Sequence, residues 1–153
     1  MTVAFAAVGA SNSGSTSVTL AYPSAPSADT LGVAVVDSGH PTAGIVPTGP
    51  DDWAPIGSFV GGGGVYGADA GPRRITLFIR ALQGGDPEPV FTIPTGTESR
   101  VGGNIVVLGY PPTSQPVIRY QAAFGEDTTS GTAFSAAADQ GFTLSADDFM
   151  LLA

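Results

Sequence analysis

One phrase occurs twice in this chain, and it leaves little room for anything but strands. Ser27-Ala28-Asp29-Thr30-Leu31-Gly32-Val33-Ala34-Val35-Val36 returns near the C-terminus as Ser145-Ala146-Asp147-Asp148-Phe149-Met150-Leu151-Leu152-Ala153. Each copy is a small polar turn carrying Asp, followed at once by an apolar run of strand length. Each also follows a Ser/Thr-rich alternating stretch, Ser15 to Leu20 in the first case and Thr132 to Ser135 in the second. A β-sandwich with two related halves generates such an echo. The second copy stops where the first goes on for many residues, so the sequence leaves two readings open, a complete domain or one truncated at its C-terminus.

The rest of the chain repeats the same grammar. Helical periodicity is almost absent, and short apolar runs recur between Gly, Pro, Ser, Asn and Asp, the pattern of an all-β protein. Strands are expected at 3–8, 17–21, 31–36, 53–60, 74–81, 90–93, 103–110, 118–123, 132–136 and 149–152. In the 74–81 strand Ile75, Leu77 and Ile79 share one face, opposite Arg74, Thr76, Phe78 and Arg80. Residues 105–108 are apolar on both faces, so that strand belongs in the middle of a sheet. Connections are expected at Asn12-Ser13-Gly14, at 48–52, at the four glycines 61–64, at 84–87 and at 128–131. The longest irregular stretch runs over 37–52, and loops of that length in compact domains are often functional. About ten short strands with long loops predict an antiparallel, jelly-roll-like sandwich with essentially no helix.

Composition bounds the class. The 153 residues suit one domain, 1–153, large enough for a core without staples. There is no cysteine, which removes disulfides and thiolate metal sites. Charged residues are only 12%, yet 42% hydrophobic content in regular runs argues for a folded chain. Thirteen acids oppose five basic residues, all Arg, for a net charge of −8. Nucleic-acid binding needs the opposite balance and is not expected. No run approaches the ~18 apolar residues of a membrane-spanning helix, so no membrane insertion is expected. The apolar segment 3–10 resembles a signal core, but the first basic residue is Arg73, so it reads as a first strand.

Few residues offer chemistry. The single His40 has no second His or Cys to share a metal, and no Gly-x-Ser-x-Gly elbow accompanies it. The glycines 61–64 lack the Lys-Ser/Thr of a phosphate loop and read as a hairpin tip. Asp51-Asp52, Glu126-Asp127, Asp147-Asp148 and the pair Asp86, Glu88 read as solvated turn acids, without calcium-loop spacing or the separation that glycosidases require. The scattered Arg73, Arg74, Arg80, Arg100 and Arg119 are expected to pair with acids, within the chain or across subunits. Trp53, Tyr66, Tyr110 and Tyr120 are the candidate contacts for a ligand or partner, because flat rings stack on sugar faces; Trp53 at a strand start also reads as core. No catalytic, metal or cofactor residue is expected, and no enzyme activity.

The order of these elements resembles the β-sandwich structural proteins of tailed bacteriophages, especially minor tail and capsid-decoration proteins of phages infecting actinobacteria. It rests on the Ser/Thr strand 15–20, the turn 27–29 with its strand 31–36, and the Pro-rich loop 47–53 ending at Trp53. It continues through the Arg/aliphatic strand 74–81, the acidic turn and strand 86–92, the apolar strand 104–110 followed by Pro111-Pro112, and the second phrase 145–153. It is a match of pattern and order over nearly the whole chain. The resemblance implies a non-enzymatic protein on the exterior of the virion that contacts capsid or tail subunits. It also implies a homo-oligomer, with a trimer by analogy to decoration proteins. The alternative from another class is a carbohydrate-binding module that attaches to host-surface glycan.

Overall fold

The computed structural model describes residues 4–41, 45–61, 72–96 and 99–109. These residues are all-β, with no helix among them. The strands are β1 (Ala4–Val8), β2 (Asn12–Gly14), β3 (Ser17–Thr19), β4 (Thr30–Gly39), β5 (Ala54–Gly61), β6 (Arg73–Leu82), β7 (Val90–Thr92) and β8 (Arg100–Gly109). The larger sheet runs β1-β8-β4-β6-β5, with β2 continuing the β1 edge along β8; β3 and β7 form a second sheet. Every pairing is antiparallel.

Seven of the expected strands fall within the described residues and all seven form, several with shifted ends. The strands expected at 118–123, 132–136 and 149–152 lie outside the described residues, as does the second copy of the repeated phrase. Asn12-Ser13-Gly14 is a strand rather than a turn. Its residues carry turn chemistry, but they lie against Val101, Gly102 and Gly103 of β8, where glycines permit close approach. A Cβ on Gly102 would sit 3.0 Å from the Asn12 carbonyl oxygen. Asn12 Nδ2 donates to the Thr19 carbonyl at 2.9 Å, tying this edge to β3.

β4 also runs three residues further than its apolar run, through Asp37, Ser38 and Gly39, which shortens the irregular stretch expected over 37–52. Ser38 turns inward and is buried, while Asp37 turns outward and forms an ion pair with Arg73 of β6. Local turn propensity yields here to a neighbour on each side, since Asp37 lies opposite both Ile75 and Gly102. The start of β4 follows expectation. Ala28-Asp29 forms the turn, Asp29 adopts φ 65°, and Thr30 Oγ1 donates to the Ser27 carbonyl at 2.6 Å. Asp is among the few non-glycine residues that tolerate this left-handed conformation.

The register sorts the side chains of the larger sheet into two faces. On one, Ala34 lies between Phe78 and Ile105, and Val36 between Thr76 and Gly103. This face packs on Val18 and Leu20 from the β3 segment and Phe91 and Ile93 from the β7 segment, with Leu82, Val101, Val107 and Trp53 completing the core. Two antiparallel sheets sharing one apolar interior is the arrangement a β-sandwich requires. On the other face Leu31, Val33, Val106 and Leu108 form a second buried cluster joined by Ile79. The expectation for residues 105–108 therefore holds: β8 is interior to the sheet and buried on both faces.

The faces of β6 fall differently from their alternation. Ile75, Leu77 and Ile79 share a face but are only half-buried, whereas Thr76 and Phe78 on the other face are buried in the main core. Phe78 lies tilted against Phe91 with ring centroids 4.8 Å apart, and Thr76 Oγ1 lies 3.0 Å from Ser58 Oγ of β5. The second sheet covers only one side, and that side happens to carry fewer aliphatic residues on β6.

Gly32 marks the tightest point of this packing. A Cβ there would lie 2.8 Å from Cη2 of Trp53 and 3.1 Å from Cδ2 of Leu82. Gly32→Ala is expected to cost about 1–3 kcal/mol through overpacking. Gly84→Ala, at a position with nothing within 4 Å, is expected to fall within about 0.5 kcal/mol of wild type. Urea midpoints of the two variants measure the difference.

Candidate functional site

The charged groups gather where β6 ends. Arg80 lies on the core-side face of β6, opposite Gly32. A bare guanidinium at the rim of an apolar core is costly, and two carboxylates meet it. Arg80 Nη1 lies 2.7 Å from Asp52 Oδ2, and Nη2 donates to Asp86 Oδ1 at 2.7 Å. The Arg80 side chain is 14% exposed and that of Asp86 9%, so this pair is mostly withdrawn from water; Asp52 at 53% is not. Asp86 also accepts from the Gln83 backbone N–H at 2.7 Å, closing the turn through Gly85, whose φ is 83°. On the other side the Trp53 backbone N–H donates to the Pro50 carbonyl at 2.9 Å. One cation thus ties the turn before β5 and the turn after β6 to the same strand end.

Tyr22 closes the cluster. Its hydroxyl donates to the Pro87 carbonyl at 3.3 Å, and its ring packs on the main core. Burial pushes its pKa above the ordinary 10.0; Arg80 pulls it down, and Asp86, Asp52 and Glu88 add to the rise. This combination has the geometry of a structural clamp. Among the described residues no group of three or more His, Asp or Glu side chains could hold a metal ion.

The ring candidates divide sharply. Trp53 is 2% exposed and makes an edge contact with Phe91 at 6.0 Å, so it presents no ring face to a ligand. Its Nε1 is buried with no hydrogen-bond partner among the described residues, and apolar packing holds the ring. Tyr66, Tyr110 and Tyr120 lie outside the described residues, as do the acids at 126–127 and 147–148 and Arg119. Arg73 and Arg80 pair with acids as expected. Arg74 instead donates to Ser58 Oγ, and Arg100 Nη1 to the Ser99 carbonyl at 3.1 Å. His40 is half-buried beside Gly96, where an added Cβ would lie 2.6 Å from its Nε2 and 2.8 Å from Ser99 Oγ.

Among the described residues the most accessible large apolar side chains lie elsewhere, on strand β1. Phe5 is 55% exposed and Val8 49%. The segment from Ala4 to Ala28 that contains β1, β2 and β3 holds no charged side chain. That uncharged run was legible in the sequence as the long gap before Asp29. What was not legible is that β1 and β2 pair with β8 in the larger sheet while β3 crosses to the second. Tyr22 was missed as well, because a lone Tyr before a Pro carries no pattern; only folding brings Pro87 and Arg80 to it.

Comparison with known proteins found no matching family model, no matching curated relative and no solved structure with a matching fold.

The clamp makes two predictions. Arg80→Gln leaves Asp86 withdrawn from water without its cation, and is expected to cost about 3 kcal/mol in urea unfolding, whereas Asp52→Asn is expected to cost no more than about 1 kcal/mol because that carboxylate is exposed. Tyr22 holds its proton more tightly folded than unfolded, so its contribution is complete below pH 10.0 and is lost as pH rises through the elevated folded pKa. The urea midpoint of wild type is expected to fall above pH 10.0 more steeply than that of Tyr22→Phe, which lacks the group.

Proposed function

We propose that this chain is a non-enzymatic structural protein of a tailed-bacteriophage virion, of the minor tail or capsid-decoration type, acting through protein–protein contacts on the particle exterior. The observation that carries the reading is the uncharged segment 4–28, which supplies β1, β2 and β3 and exposes Phe5 and Val8, in an otherwise acidic, two-layered β protein. Enzymes and ligand-binding modules concentrate polar side chains in a concave site. Here the described polar side chains are spent on ion pairs and turn hydrogen bonds that brace strand ends. The order of elements described under the sequence supports the same class.

The architecture is read as a jelly-roll-like sandwich. Supporting this, β8 inserts between β1 and β4 rather than beside β7, so the chain crosses from one sheet to the other and back instead of meandering. Such a domain can be tiled on a particle surface as repeated copies, and a closed homo-oligomer such as a trimer suits that use. The carbohydrate-binding alternative has lost its leading platform, since the indole of Trp53 is buried.

Particle proteomics tests the reading. In virions purified by gradient from a host carrying the gene in a phage genome, the protein is expected to co-sediment with major capsid and tail proteins at a constant ratio across the particle peak. Recovery only from the soluble lysate, never from the particle band, overturns the assignment.

A further inference from the structure

We draw no further inference here: the strongest candidate, the apolar outer face of the larger sheet where Leu31, Val33, Val106 and Leu108 cluster with Ile79, carries nothing because no feature of the described residues shows what covers it.

Discussion

Everything described in this protein depends on β4 being sandwiched between two full-length partners. All ten of its residues, Thr30 to Gly39, have a partner on β6 and another on β8. A strand satisfied on both edges can be apolar on both faces, and Leu31, Val33, Ala34 and Val36 are all buried. Each of the Leu and Val side chains removed from water contributes about 1.5–3 kcal/mol. The two faces then have different fates. One receives β3 and β7 and becomes the main core; the other carries Leu31 and Val33 into the cluster with Val106 and Leu108.

Polar groups in this fold act chiefly as fasteners at strand ends. Asp37 and Arg73 close one end of the β4–β6 pair, and Arg80 with Asp52 and Asp86 braces the other. Between them the interior is held by shape. Gly32 leaves room for the indole of Trp53, and Phe91 sits between Trp53 and Phe78. With only 12% charged residues, the chain has few ions to spend, and most of the described arginines are engaged at strand ends. The β1 flank is left with none.

Strand existence was legible because alternation and apolar runs are local properties. The run at 105–108 announced itself as an interior strand, and it is one. What local reading missed has a common cause. Asn12-Ser13-Gly14 and Asp37-Ser38-Gly39 have the composition of turns, and only the presence of β8 or β6 alongside makes them strands. The inner face of β6 was likewise unreadable from its own sequence. Ile75, Leu77 and Ile79 look more like a core face than Thr76 and Phe78, yet the position of the second sheet decides which side is dry. Trp53 could be read as core or as platform, and its neighbours Gly32 and Phe91, distant in sequence, put it in the core.

The sequence by itself determined that this is an all-β, cysteine-free, acidic chain whose strands follow short turns, and it placed the uncharged run that ends at Asp29. Those are consequences of side-chain period, turn chemistry and composition, each written within a few residues. Tertiary structure alone decided that β8 lies between β1 and β4, that Arg80 finds Asp52 and Asp86, and that Phe5 and Val8 of β1 stay about half exposed. Each of these joins residues that chain order does not make neighbours. A register across roughly a hundred residues of chain, such as Phe5 against Leu108, is set by the combined burial of two faces rather than by any local preference.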